Sequence, residues 1–136
     1  MRYLGLDLGK KSLGLAISDR TGTIASFYKN IKYVDENKLI DELISIINKE
    51  SIDALVLGFP KNMNNSIGFR GQETLEFKGK LENMINVPII LQDERLSTRM
   101  AESILIDADM SRKKRKKVID GVSAVIILKN YLDRKE

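Results

Sequence analysis

Ile52-Asp53-Ala54-Leu55-Val56-Leu57-Gly58 is an almost unbroken apolar run. A run of that length and kind suits a strand buried on both faces. Such a strand sits inside a sheet that helices cover on either side, so it sets the class as α/β. The neighbouring segments supply the other parts. Tyr3–Leu8 and Ser12–Asp19 are short and aliphatic, and Gly9-Lys10-Lys11 between them reads as the turn of an antiparallel hairpin. Thr21-Gly22 marks the next turn, and Thr23–Val34 carries a third strand rich in β-branched and aromatic residues. The period then changes. Leu39, Ile40, Leu43, Ile44, Ile46 and Ile47 recur at helical spacing, with Asp35 and Glu36 at the expected start.

After the central strand, residues 60–71 are rich in glycine, proline and asparagine and show no period. A polar loop of that length in a small domain is more often functional than idle. A helix is expected over Gln72–Ile85, a strand over Val87–Leu91, a helix capped by Ser97 or Thr98 and running to Leu105, and a last helix over Lys116–Leu132. Right-handed crossovers place the later strands parallel to the first. The expectation is one α/β domain over residues 1–136. Its sheet is mixed and five-stranded: the first three strands form an antiparallel meander, two parallel strands follow, and helices lie on both faces.

Composition narrows the chemistry. The 136 residues include no cysteine and no histidine. Zinc sites of the Cys/His type, thiol nucleophiles, disulfides and imidazole bases are therefore excluded. Hydrolysis by such a chain falls to carboxylates, with hard metal ions bound through oxygen. The net charge of +4 is local: Arg112, Lys113, Lys114, Arg115, Lys116 and Lys117 are consecutive, and without them 17 basic residues face 19 acidic ones. The N-terminus lacks the apolar core of a signal peptide, and no run approaches the ~18 apolar residues of a membrane span. A soluble cytoplasmic protein with no membrane partner is the expectation.

Three places hold carboxylates in suggestive settings. Asp7 lies in the first strand, with Leu4, Leu6 and Leu8 on the opposite face and Tyr3, Gly5 and Gly9 on its own. The flanking glycines leave room for a metal or phosphate to approach; a turn aspartate at a hairpin end is the plainer reading. Gln92-Asp93-Glu94-Arg95 follows a parallel strand, at the end where open α/β sheets bind ligands. Taken alone, it reads better as an ordinary solvated strand-to-helix connection. Asp120 begins Asp120-Gly121-Val122-Ser123-Ala124-Val125-Ile126-Ile127-Leu128, apolar nearly all round a helix. A buried carboxylate there needs a cation partner, either a lysine in a salt bridge or a metal ion. The small residues Gly121, Ser123 and Ala124 would let this stretch lie close against the sheet that carries Asp7.

Gly5-Leu6-Asp7-Leu8-Gly9, Gly58-Phe59-Pro60 with Asn62-Met63, Asp93-Glu94-Arg95-Leu96-Ser97-Thr98, and Lys117 to Asp120 with its small-residue helix occur in this order. Together they resemble the YqgF (RuvX) family, and the resemblance covers essentially the whole chain. It implies a ribonuclease H-like fold and a nuclease acting either in 5′-end processing of pre-16S ribosomal RNA or as a Holliday junction resolvase on DNA. It also implies that Asp7, Glu94 and Asp120 are the catalytic, metal-binding acids. One departure stands out: the family often has an acid-Gly-Ser turn where this chain has Asn64-Asn65-Ser66.

Three acids and no histidine fit hydrolysis assisted by two Mg²⁺ or Mn²⁺ ions, with Asp7 bridging and Glu94 and Asp120 each completing one ion. The products implied by the resemblance carry 5′-phosphate and 3′-hydroxyl ends. Arg70 and Arg95 are candidates for substrate phosphates, since a guanidinium matches phosphate oxygens. Thr98 either caps its helix or touches substrate, and the cations 112–117 are expected to hold a nucleic-acid backbone. Phe27, Tyr28 and Tyr33 are expected to fill strand faces, and no aromatic platform for stacking bases is evident. The expected partner is nucleic acid, structured RNA ahead of a DNA junction, with ribosome-assembly intermediates as a further partner and the protein a monomer or weak homodimer. Two rival readings accompany this one: an actin-like phosphate-binding domain, from Gly5 to Gly9 with Ser12 and Gly14, and a non-catalytic protein that binds RNA or a ribosome-assembly intermediate.

Overall fold

A computed structural model describes residues 1–60, 68–93 and 112–134, with side chains described outside 112–121. Its elements in chain order are β1 (Tyr3–Leu8), β2 (Ser12–Ser18), β3 (Ala25–Lys32), α1 (Glu36–Lys49), β4 (Ala54–Phe59), α2 (Phe69–Met84), β5 (Ile89–Asp93) and α3 (Arg112–Arg134). The five strands form one sheet in the order β3-β2-β1-β4-β5. β1 pairs antiparallel with β2 and parallel with β4; β2 pairs antiparallel with β3, and β4 parallel with β5. This is the mixed sheet that the sequence predicts, with β1 and β4 in its interior.

Strand alternation sends each central strand's side chains to two different cores. On one face Leu4, Leu6, Leu13, Leu15, Leu55 and Leu57 pack against the α1 and α2 stripes, including Leu43 and Phe77. On the other, Tyr3, Ala16, Ala54 and Val56 meet Ala124, Ile127, Leu128 and Leu132 of α3. Large aliphatic residues thus serve the two-helix side. The small residues of the opposite face let α3 lie close. At the N-terminus of α1 the Asp35 side chain accepts from the Asn37 N–H, satisfying one of the helix's free donors.

Among the boundaries that differ from those expected, four have a local reason. β3 begins at Ala25 instead of Thr23 because the Asp19 carboxylate holds the preceding turn. It accepts from the N–H groups of Thr23 (2.8 Å) and Ile24 (3.0 Å) and from the Thr21 hydroxyl. α2 begins at Phe69, three residues inside the segment read as loop, with Gly68 at its N-cap and no side-chain cap hydrogen bond. β5 begins after Pro88, which has no N–H for the ladder but whose carbonyl accepts from Leu55 N (2.9 Å). α3 begins at Arg112, so the basic run is helical; lysine and arginine are good helix formers. The helix expected from 97 to 105 lies outside the described residues.

The Asp19 turn carries a pH prediction. The Thr21 hydroxyl, then the Ile24 and Thr23 amides, hold the Asp19 carboxyl well below the usual carboxylate range. A carboxyl depressed on folding stabilises the native state above its unfolded pKa of about 3.9, and that contribution fades as pH falls toward the folded value. Asp19→Asn is therefore expected to lower the melting temperature at neutral pH. The difference from wild type should shrink as thermal unfolding is followed down to about pH 2.5.

Candidate functional site

Asp7 lies near the carboxyl end of β1, on the face that α3 covers, and is 9% exposed. Its cross-strand partner in β2 is Gly14, and Gly58 of β4 follows directly after the Leu6–Leu57 pair on the other side. The carboxylate therefore sits in a row whose two flanking positions have no side chains. Charged groups are rarely buried without a partner, and Asp7 makes an electrostatic or hydrogen-bonding interaction in the folded chain.

α3 reaches this row because Gly5 admits it. A Cβ on Gly5 would lie 2.8 Å from Leu128 Cβ and 3.2 Å from the Ala124 carbonyl oxygen. Two residues earlier, Tyr3 meets Tyr131 edge-to-face with ring centroids 5.4 Å apart. The order of these contacts fixes the direction of the helix: it runs obliquely back along β1, with its later residues over the strand's start. Its last turn extends toward β5, where Arg134 donates to the Oε1 of buried Gln92 at 2.8 Å.

On the opposite face, the end of β1 is gripped by side chains distant in sequence. Arg70, in the first turn of α2, donates through Nη2 to the Leu8 carbonyl at 2.9 Å. Tyr33 donates its hydroxyl to the Gly9 carbonyl (3.3 Å) and its N–H to the Lys11 carbonyl (2.9 Å), while Gly9 N–H donates to Ser12 O (2.8 Å). Burial chiefly, and then the nearby Glu36 and Glu73, keep the Tyr33 hydroxyl protonated by raising its pKa. The result is a tightly held turn presenting two exposed lysines, Lys10 and Lys11. A shallow depression beside it is lined by Leu8, Gly9, Lys10, Arg70, Glu73 and Thr74.

Of the residues singled out from sequence, the structure brings Asp7 and Arg70 to the same end of β1, on opposite faces. Glu94, Arg95 and Thr98 lie outside the described residues. Asp120 and Arg112, Lys113, Lys114, Arg115, Lys116 and Lys117 lie on α3, and their side chains are outside the described set. Among the described residues no three acidic side chains cluster as a metal site. Also among them, no helix is long and apolar enough to cross a membrane. From sequence, Tyr33 is expected to fill a strand face and Gly9-Lys10-Lys11 to form a turn, but the tether between them and the Arg134 bond to buried Gln92 are not foreseen. Only the lysine pair carries a local signal, as cations within a glycine turn.

Comparison with known proteins follows the same lines. The family model described as RuvX, Holliday junction resolvase, matches residues 1–134. A protein of Bacillus pumilus (strain SAFR-032) is 53% identical over 136 residues, covering 98% of each chain. One from Bacillus subtilis (strain 168) is 50% identical over 135 residues, again 98% of each. Both bear the name "Putative pre-16S rRNA nuclease". In three dimensions, RuvC of Thermus thermophilus superposes with a TM-score of 0.57 at 11% identity, covering 97% of this chain and 94% of that one. The Fowlpox virus resolvase in complex with Holliday junction DNA gives 0.56 at 14%, covering 98% and 97%. At such identities the likeness is one of fold, the ribonuclease H-like arrangement expected from sequence. By the extent of the family match and the near-complete alignment with its relatives, the chain belongs to the RuvX family.

Proposed function

We propose that this chain hydrolyses phosphodiester bonds of RNA in 5′-end processing of pre-16S ribosomal RNA, with Asp7, Glu94 and Asp120 as its catalytic acids. The observation that carries the proposal is Asp7, a carboxylate 9% exposed at the end of a central strand and flanked by Gly14 and Gly58. Position 120 is one helical turn before Ala124, which lies on Gly5, and Asp7 is two residues along β1 from Gly5. One turn of helix and two residues of strand each advance about 6 Å. These matched steps support the pairing of Asp7 with Asp120. The names of the relatives at about half identity favour RNA over DNA.

The donor chemistry fits a hard divalent cation. The chain has no histidine or cysteine to offer, and a buried carboxylate near a strand end is an oxygen ligand of the required kind. Asp7, Glu94 and Asp120 would hold Mg²⁺ or Mn²⁺, two ions in this reading, which supply an activated water and neutralise charge on the leaving oxygen when bound. The remaining work falls to the chain. Arg70 uses one guanidinium nitrogen on Leu8 O and keeps other donors for a phosphate. Arg95 and Thr98 follow Glu94 in sequence and serve as further phosphate contacts. Arg112 to Lys117, six cations on one helix, draw the nucleic-acid backbone toward the end of α3 that precedes Asp120. A monomer or weak dimer suffices for single cuts in RNA, and ribosome-assembly intermediates carry the RNA it would meet.

The experiment is Mn²⁺-dependent cleavage of two substrates by the purified protein: a precursor of the small-subunit RNA 5′ end and a synthetic four-way DNA junction. Cleavage of the RNA alone is the expected result. Cutting of the junction alone would replace RNA processing with junction resolution. Binding of either without cleavage, in the presence of Mn²⁺, would count against catalysis and favour a binding protein.

A further inference from the structure

Strand register places three polar residues in one row across the face of the sheet that α3 covers. Asn30 of β3 pairs with Gly14 of β2, and Gly14 with Asp7 of β1. Gly58 continues the row in β4 and pairs with Gln92 of β5. Side chains and glycines therefore alternate across the sheet as Asn30, Gly14, Asp7, Gly58 and Gln92. Buried Gln92 has a partner, since its Oε1 accepts from Arg134. Asn30 differs: its Oδ1 is buried and has no hydrogen-bond partner. The same layer holds a second such atom, Ser123 Oγ, one residue before the alanine whose carbonyl lies over Gly5. Ser123 precedes Arg134 by about three helical turns, on the same side of α3. It therefore faces the β4–β5 side of Asp7, while Asn30 flanks Asp7 from the β3 side. Buried polar atoms without partners are costly and uncommon. Two of them around one buried carboxylate mark a space built for a polar occupant.

We propose that Asn30 is a positioning residue for the divalent cation of Asp7, its Oδ1 accepting a hydrogen bond from a water molecule in the ion's coordination shell. The proposal deepens the nuclease reading and rests on it. Distance decides the mode of contact. Asn30 and Asp7 stand two strands apart, about 9.5 Å, and strand side chains rise roughly perpendicular to the sheet. One ion with ligand bonds of ~2.1 Å is then beyond the direct reach of both, whereas a metal-bound water spans the difference. Gly14 between them has no side chain to fill that gap. Waters held by a cation turn their hydrogens outward, so a lone amide oxygen is the complementary group. It orients such a water without adding charge to the site.

The test is Mn²⁺ binding to the full chain without nucleic acid, with free Mn²⁺ read from its electron paramagnetic resonance signal. Loss of a group that holds a metal's outer shell weakens affinity about 10–100-fold. Asn30→Leu, and Asn30→Ala which adds no bulk, should each weaken Mn²⁺ binding at least about tenfold. Asn30→Asp keeps the acceptor and should bind Mn²⁺ at least as tightly as wild type. In EDTA, Asn30→Leu should melt no lower than wild type, because it removes an unsatisfied buried acceptor. Mn²⁺ affinity unchanged in the leucine and alanine variants overturns the proposal. Equal loss in all three variants overturns it too, since the aspartate retains the acceptor. Both of these results leave the nuclease reading intact wherever wild type binds Mn²⁺ and cleaves. Wild type that takes up no Mn²⁺ and cuts neither RNA nor the DNA junction overturns the nuclease reading, and this proposal with it.

Discussion

Asp7→Asn is expected to lower Mn²⁺-dependent cleavage by about a thousandfold or more while leaving the fold and nucleic-acid binding in place. Asparagine has nearly the shape of aspartate, and the positions flanking it across the sheet are Gly14 and Gly58, so the substitution creates no steric conflict within the sheet. What changes is charge and ligand strength at one buried point. A neutral amide oxygen is a poor substitute for a carboxylate on a divalent ion, and losing a ligand of that kind removes several kcal/mol of transition-state stabilisation. Each ~1.4 kcal/mol is a factor of ten in rate.

A thermal readout separates this from a folding defect. A cation that binds only the native state raises its melting temperature in proportion to the logarithm of its concentration over Kd. Millimolar Mn²⁺ should therefore stabilise wild type and leave Asp7→Asn nearly unmoved, with the two proteins melting alike in EDTA. Cleavage retained by the variant would take the central catalytic part away from Asp7. A Mn²⁺ shift equal in both proteins would separate metal binding from this residue.

The parts of the molecule that were legible in the sequence are those with a strong period or strong punctuation. α1 announces itself because five buried residues, Leu39, Ile40, Leu43, Ile46 and Ile47, fall at helical spacing behind an aspartate cap. β4 is legible because all six of its residues are buried, which forces a continuous apolar run. α2 gave no such signal. Its buried residues are Gly71, Thr74, Phe77 and Leu81, two of them not apolar in the usual sense, and its cap is a glycine without a side-chain bond. Its first turn therefore reads as loop. Six cations likewise conceal the start of α3, since helix propensity without an apolar stripe leaves no period to detect.

The candidate site divides in the same way. Asp7 stands out as a charged residue in an aliphatic strand between glycines, a local contradiction visible in one dimension. The contact between Arg70 and Leu8 joins residues 62 positions apart, and no spacing rule reports it. The tether from Tyr33 to the lysine turn is equally silent, because a strand tyrosine looks the same whether or not its hydroxyl reaches a carbonyl. Sequence thus exposes a residue whose chemistry conflicts with its surroundings. It hides residues whose role is set by what folding brings beside them.

Gly5→Ala is expected to destabilise the protein strongly. Gly5 is buried in β1 between Tyr3 and Asp7 on the α3-facing side, and its missing side chain is where the helix rests. The new Cβ would lie 2.8 Å from Leu128 Cβ and 3.2 Å from the Ala124 carbonyl oxygen. The first of these is closer than Cβ atoms approach, and both neighbours are fixed parts of α3, so no side-chain rotation relieves the contact. The helix must lift or slide. Overpacking of this kind costs about 1–3 kcal/mol, occasionally more. Here the upper part of that range is expected, because the displaced element also carries Ala124, Ile127, Leu128 and Leu132 out of their core. For a domain of this size such a loss lowers the melting temperature by roughly 5–10 °C.

On the proposed pairing of Asp7 with Asp120, the same displacement would separate the two, so activity should fall by more than the unfolded fraction explains. The check is cleavage measured well below the variant's melting temperature, alongside Leu43→Ala. That control removes buried volume from the α1 side and costs a comparable 2–5 kcal/mol without touching α3. Equal residual activity in the two folded variants would mean that α3 does not set the geometry around Asp7. A large deficit confined to Gly5→Ala would mean that the glycine positions the helix for catalysis as well as for packing.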